Sequence, residues 1–348
     1  MGKHRVTLQT VADHVGVSRT TVSNAFSRPD QLSDDLRERV LAAARELNYA
    51  GPDPAARTLR GGSVHAVGVV LPERLSYAFT DPYAVRLLRG LAQATDDQAL
   101  SLLLIPVPPN HLQEYAVRRA VVDSFFFHSL PSGHPVIEIA LCRETPVVFV
   151  DGPEHPGHPF VGIDEHAAAH GVARHLLERG RRRLSVISFR VADDDVTGEV
   201  DDARLDGGTY RASRERVAGV LSACAEAGLA RADVHIIDAG RSIAAQGRQA
   251  AAALLDGDEP PDAMVCLSDE LAAGVVSELH ARGLSVGGDV AVTGWDDVGL
   301  AEQLGITSVR QPDEEKGRIA GRWLVDGVRG PRREILPTRL MVRASTGA

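Results

Sequence analysis

A cluster of polar side chains near the amino terminus carries the first chemistry. Arg19, Thr20 and Asn24 lie within one short span, with Thr7, Ser18, Thr21 and Ser23 around them. An arginine can pair bidentately with guanine O6/N7, an asparagine with adenine N6/N7, and a threonine methyl can touch thymine. Serine and threonine hydroxyls suit phosphate oxygens, contacts that position a protein on a duplex without reading its sequence. Such a set is useful only if the backbone presents it on one rigid face.

The surrounding residues supply that backbone. Thr7 can cap a helix whose apolar residues Leu8, Val11, Ala12 and Val15 recur at helical spacing. Gly16 supplies the positive φ of a tight turn, and Val17 fills the angle behind it. Ser18 can cap a second helix that turns Val22, Ala25 and Phe26 inward. This is a helix-turn-helix, and it implies DNA binding. A third helix is expected near 33–48, with Ser33 as cap, Asp34 and Asp35 in its first turn, and a stripe of Leu36, Val40, Ala44 and Leu47. The stripe has only the first two helices to cover, so residues 1–50 read as one all-α headpiece. Gly51-Pro52-Asp53-Pro54 ends the third helix. Residues 51–62 then form a linker, in which 53–60 could make two turns of helix when something docks against it.

Net charge is −9 over 348 residues, which is unusual for a DNA-binding chain until it is divided. Residues 1–62 hold nine Lys/Arg and seven Asp/Glu, a balance of +2, while the remainder holds 29 and 40, a balance of −11. Phosphate attraction is therefore confined to one end and is weak there, so strong affinity calls for two heads acting together. No apolar run approaches the roughly 20 residues of a membrane span, and MGKHRVTLQT has no secretory apolar core. Cytoplasmic residence at the nucleoid, with no membrane partner, is expected. Cys142, Cys224 and Cys266 show no metal spacing and read as buried thiols of a reducing compartment.

From residue 63 onward, short apolar runs alternate with helical stretches. The runs fall at 65–72, 100–106, 123–130, 146–151, 184–189, 234–238, 263–268 and 290–295, with helices near 82–97, 112–120, 134–143, 165–179, 213–228, 243–256 and 270–282. Continuous apolar strands between helices predict parallel sheets covered on both faces, long enough for two doubly wound lobes. A ligand site is then expected at the carboxyl ends of the strands, in the cleft between lobes.

The head motif VTLQTVADHVGVSRTTVSNAF, followed by LRERVLAAARELNY and a short linker, resembles the lactose-repressor (LacI/GalR) family. The landmarks FVD at 149–151, VGID at 161–164, RERVAG at 214–219, LSDELAAG at 267–274, VTGWDD at 292–297 and ITSVRQP at 306–312 resemble that family's two-lobed, periplasmic-binding-protein-like (type I) effector domain. The resemblance implies that residues 63–348 bind effector and dimerise, with lobe 1 from about 64–162 and 294–326 and lobe 2 from about 163–293 and 327–345. It implies that Arg19, Thr20 and Asn24 read bases, and that Ala56 and Leu59 enter the minor groove, where Leu59 wedges between base pairs. Asp151, Arg216, Asp269 and Asp296 match positions lining the effector cleft, and Tyr83 and Trp295 could stack on a ligand ring.

Two patterns mimic metal sites. His166 and His170, beside Asp164 and Glu165, have a zinc-like spacing without a third ligand, and read as helix-surface histidines. Asp193, Asp195, Thr197, Glu199 and Asp201 imitate the start of a calcium loop, but position twelve is Arg204, so an acidic loop is expected instead. No nucleophile elbow, phosphate loop or dinucleotide fingerprint is present. The chain reads as no enzyme, without cofactor or metal. It reads as a ligand-responsive regulator, most simply a repressor, binding a pseudo-palindromic double-stranded operator as a homodimer. The small-molecule effector is a sugar or a nucleoside. The alternatives are a solute-binding protein without gene regulation and a purine-type, corepressor-activated regulator. No apolar heptads follow the last strand, so a tetramer built on a C-terminal helical bundle is not expected.

Overall fold

The computed structural model describes residues 6–27, 31–47, 49, 63–108 and 114–347. The chain divides into two compact units, Met1–Val64 and His65–Ala348.

In the first unit, helices α1 (Leu8–Val15), α2 (Arg19–Ser27) and α3 (Asp34–Glu46) enclose one small core. Val11, Ala12, Val22 and Val40 are completely buried in it. Those are the residues that 3.6-residue periodicity turns inward. Phe26 and Tyr49 close one side in an edge-to-face contact at 6.0 Å. The linker helix expected at 53–60, with Ala56 and Leu59, lies outside the described residues.

The second unit is α/β. Its strands are β1 (Ala66–Leu71), β2 (Ser101–Pro106), β3 (Ser124–His128), β4 (Val147–Val150), β5 (Phe160–Ile163), β6 (Leu184–Ser188), β7 (Gly198–Glu199), β8 (His235–Asp238), β9 (Ala263–Cys266), β10 (Ala291–Asp296), β11 (Thr307–Arg310), β12 (Arg333–Leu336) and β13 (Arg339–Met341). Among the described residues they form a six-stranded sheet, β12-β5-β4-β3-β1-β2, and a seven-stranded sheet, β13-β11-β10-β9-β6-β8-β7. The first sheet is parallel throughout. In the second, only the outermost strands β7 and β13 run antiparallel to their neighbours. Strands such as β1, β4 and β9 are buried along their whole length, as helix-covered parallel strands must be.

The lobe boundaries differ from expectation at two places. Residues 294–311 belong to the second lobe: β10 pairs with β9 through Ala291–Thr293 and with β11 through Thr293–Asp296, so a crossing at 294 would break a strand in mid-ladder. The chain crosses after Gln311 instead, and helix Asp313–Val325 packs on helix Pro82–Asp96 of the first lobe. Residues 327–345, assigned to the second lobe, are divided between the two. β12 pairs with β5 in the first sheet and β13 with β11 in the second, so the third crossing falls between Leu336 and Arg339.

Other expectations are corrected locally. Cys142 is exposed, whereas Cys224 and Cys266 are buried. In the calcium-like loop, Arg204 at position twelve pairs with Asp194 at 3.0 Å and with Asp238 at 3.1 Å, which ties the segment to β8. His170 meets Glu226 at 2.9 Å. Among the described residues no cluster of His, Cys, Asp and Glu could hold a metal ion, and no helix is long and apolar enough to cross a membrane.

Candidate functional site

In the first unit the two caps fix the hairpin. The Thr7 hydroxyl accepts from Thr10 N at 3.3 Å, while Thr10 Oγ1 accepts from Thr7 N at 3.2 Å. Gly16 has φ 77°, and its N–H donates to the Ala12 carbonyl at 2.9 Å. An added Cβ would meet open space there, so the glycine is required by backbone conformation alone. The Ser18 hydroxyl accepts from Thr21 N at 3.0 Å and contacts the Thr21 hydroxyl at 2.8 Å. With Val22 and Ala25 buried, Arg19 and Thr20 stand exposed, and Thr21, Ser23 and Asn24 are half-buried beside them. The Asn24 amide donates to Gln31 Oε1 at 3.2 Å, an engagement the sequence pattern did not suggest. Thr7 and Ser18 thus use their hydroxyl oxygens as caps, and each also meets a second hydroxyl, that of Thr10 at 3.1 Å and that of Thr21 at 2.8 Å.

In the second unit, residues just beyond the carboxyl ends of strands in both sheets meet in one cleft of about 120 Å³. The first lobe contributes Glu73 after β1, Ser129 after β3 and Asp151 after β4; the second contributes Arg190 after β6, Gly240 after β8, Ser268 after β9 and Gln311 after β11. This is where doubly wound sheets leave a crevice, because strand order reverses beside β1 and β6.

Tyr83, Asp151, Arg216 and Asp296 all line this cleft. Asp151 is 5% exposed and meets Lys316 Nζ at 2.5 Å, while Lys316 itself is fully buried. The Tyr83 hydroxyl donates to the other Asp151 oxygen, and Lys316 also donates to Gln311 Oε1. Burial alone would raise the Asp151 carboxyl, but the Lys316 ammonium holds it below the ordinary value. Burial pushes His128 down to about 4, so it is a neutral imidazole at pH 7 and its approach to Asp151 at 3.6 Å is no ion pair.

Arg216 is also buried. Its Nε donates to Glu165 at 2.7 Å and its Nη1 to the Leu267 carbonyl at 2.9 Å, and the guanidinium lies 4.2 Å over the Trp295 ring. Trp295 therefore faces Arg216 from behind the cleft wall rather than facing a ligand. Asp269 is likewise displaced from its expected role: it accepts from Ser308 Oγ at 2.6 Å and Val298 N at 2.8 Å and lies outside the cleft lining. The reason is positional. Asp269 opens helix Asp269–Ala281, and the capping residue before it, Ser268, takes the place at the cleft.

Asp81 and Asp296 complete the charged lining. Burial, reinforced by the charge of Asp296, pushes Asp81 up to about 7; burial pushes Asp296 up to about 6 against the pull of Arg216. Asp151 and Asp296 have φ of 62° and 94°, a region side-chain-bearing residues avoid, so the strand ends hold both carboxylates under strain.

Several contacts run from lobe to lobe. Glu73 pairs with Arg190 at 2.8 Å, the Tyr77 hydroxyl donates to the Ser242 carbonyl at 2.9 Å, and Ser132 N donates to the Thr209 carbonyl at 2.8 Å. The described arrangement is thus a closed one. A more open groove of about 770 Å³ runs along β7 and β8, but it is built from the second lobe alone and is lined by no Tyr, Trp or Phe.

Sequence reasoning missed Lys316, Gln311, His128, Glu73, Asp81 and Arg190. Glu73 and Arg190 follow strands by two residues, so the carboxyl-end rule alone points to them. Lys316 gave no such signal, because a lysine among Asp313, Glu314 and Glu315 reads as a solvated helix start.

Residues 7–51 match the family described as bacterial regulatory proteins, lacI family, and residues 173–346 match a periplasmic binding protein-like domain. The chain is 39% identical to an HTH-type transcriptional regulator of Mycobacterium tuberculosis over 99% of its own length and 98% of that protein's. A crystal structure of a LacI-family transcriptional regulator from Corynebacterium glutamicum is similar with a TM-score of 0.76 at 32% identity, covering 99% of this chain and 100% of the other. The structure of the transcriptional regulator CelR with cellobiose gives a TM-score of 0.68 at 27% identity, over 98% and 100% of the two chains.

Proposed function

The chain belongs to the LacI family of bacterial regulatory proteins, DNA-binding transcriptional regulators rather than enzymes, and from that premise we propose that it is a repressor switched by a sugar-class effector. The observation that carries the reading is the convergence of charged residues from both lobes on one cleft, in a chain that begins with a capped helix-turn-helix. Carboxylates accept hydroxyl protons in short, charge-assisted bonds, and Arg216 keeps part of its guanidinium fork for ligand oxygens after serving Glu165 and Leu267. The CelR–cellobiose neighbour supports a sugar over a nucleoside.

On DNA, Arg19, Thr20 and Asn24 read base edges in the major groove, and Thr7, Ser18, Thr21 and Ser23 hold phosphates. Asn24 must release Gln31 to do so. Ala56 and Leu59 would serve the minor groove. The weak charge of the headpiece supports a homodimer on a pseudo-palindromic operator, each head taking a half-site. Effector binding favours one lobe arrangement by its differential affinity, and the linker passes that bias to the heads.

A gel-shift assay with the full chain tests this reading. Sequence-specific retardation that is relieved by a sugar is expected. Specific binding that strengthens with ligand would turn the reading to a corepressor type, and an absence of specific binding would end it.

A further inference from the structure

The cleft walls do not balance in charge. Arg190 pairs with Glu73 at 2.8 Å, Arg216 with Glu165 at 2.7 Å, and Lys316 with Asp151 at 2.5 Å. Each of these three cations has a carboxylate of its own, whereas Arg241, whose guanidinium lies 5.7 Å over the Tyr77 ring, stands exposed at the edge. Two lining carboxylates remain, Asp81 from the first lobe and Asp296 from the second. Asp81 accepts the backbone N–H groups of Tyr83, at 3.0 Å, and of Ala84 at the start of its own helix, and Asp296 accepts from the Gln311 amide. Neither forms an ion pair among the described residues.

Helix starts on the wall do little to offset this deficit. Those at Asp81 and Ser268 are filled by their own capping side chains. The helix that follows Tyr210 has no side-chain cap, and its free N–H groups offer a ligand oxygen about half a unit of positive charge against two carboxylates. Apolar faces are available, since Tyr77, Tyr83, Phe189 and Tyr210 also line the space.

We propose that Asp81 and Asp296 form a clasp, one carboxylate from each lobe, that selects a polyhydroxylated ligand carrying no anionic group, and that Asp81 is a specificity-determining residue. Hydroxyl donors satisfy both carboxylates and draw the lobes together. A phosphate or carboxylate on the ligand would meet two like charges in a desolvated space, where each lining cation already holds a carboxylate. The rise of the Asp81 and Asp296 carboxyls to about 7 and about 6 is what two desolvated, unpaired neighbours produce. This inference rests on the cleft being the effector site and adds the charge class of the effector.

The test is thermal stabilisation of the full chain at about pH 8, where both carboxylates are ionised. The probes are D-glucose, D-ribose, cellobiose and D-glucosamine, set against D-glucuronate, glucose 6-phosphate and ribose 5-phosphate at about 10 mM each. Stabilisation confined to the neutral and amino sugars is expected. Stabilisation by an anionic member without its neutral parent overturns the proposal, as does the failure of every neutral and amino sugar. Asp81→Asn keeps the capping oxygen, so the helix start survives. It should weaken the stabilising sugar about tenfold and admit the anionic analogue of the same skeleton. If Asp81→Asn leaves both affinities unchanged, Asp81 has no role in specificity. An anionic sugar that stabilises the chain and also relieves a gel shift would sink the clasp while leaving the regulator reading intact.

Discussion

At the scale of single residues, the cleft is a set of charges whose cost depends on their partners. Lys316 is fully buried against Asp151, Tyr83 and Gln311. Lys316→Met would strand the Asp151 carboxylate without its cation and should lower stability by about 3–5 kcal/mol in chemical denaturation. Adding Asp151→Asn should recover part of that loss, and an unchanged loss would mean the lysine acts through packing alone. Asp81 titrates the other way. Its folded-state carboxyl is raised from 3.8 to about 7, so the neutral form is the one the fold favours. That contribution is fully present below pH 3.8 and disappears as pH rises through 7. Asp81→Asn removes the titration, so its melting temperature should gain on the wild type by a few degrees between about pH 5 and pH 8. A constant gap across that range would show that Asp81 is solvated.

At the scale of elements, the helix layers depend on glycine. Helices Pro82–Asp96 and Asp313–Val325 approach so closely that a Cβ on Gly90 would collide with the Glu314 carbonyl, and one on Gly317 with that of Leu87. Gly317→Ala should therefore destabilise the unit by about 1–3 kcal/mol despite alanine's better helix propensity, read as a lower melting temperature. A neutral or stabilising outcome would mean that the pair can slide apart at little cost. This contact also shows which elements were legible. The buried strands at 65–72, 146–151 and 263–268 announced themselves, because parallel strands covered on both faces are uninterrupted apolar runs. β11, β12 and β13 did not: they are three or four residues long, with polar residues such as Arg310, Arg333 and Glu334 among them, and only pairing partners far away in sequence make them strands. The same limit applied to the site. Asp151, Arg216 and Asp296 stood out at strand ends and in a helix motif, whereas Lys316 becomes a cleft residue only because its helix crosses back to the first lobe. Asp269 and Trp295 were placed one layer too far forward, since sequence gives an order along the chain but not a depth from the surface.

At the scale of the whole molecule, function depends on two lobes held by few bonds. The Glu73–Arg190 pair and the Ser132–Thr209 backbone bond span the cleft and can form only when it is closed. Glu73→Gln should speed hydrogen exchange at the Ser132 amide about threefold to tenfold without changing exchange within β3 or β6. Equal acceleration at all these amides would point to global unfolding instead. The charge division matters at this scale too: a balance of only +2 over residues 1–62, against −11 for the remainder, leaves the hold on DNA open to influence from small free-energy changes elsewhere.

The left-handed backbone at Asp296, with φ of 94°, reaches beyond the cleft. Glycine adopts that conformation freely and carries no carboxyl to desolvate, so Asp296→Gly should raise the melting temperature by a few degrees while abolishing the response to effector. Heat-stable variants collected from this chain would then be enriched for proteins deaf to their signal. A directed-evolution screen that scores survival alone would steadily convert a conditional regulator into a permanent one.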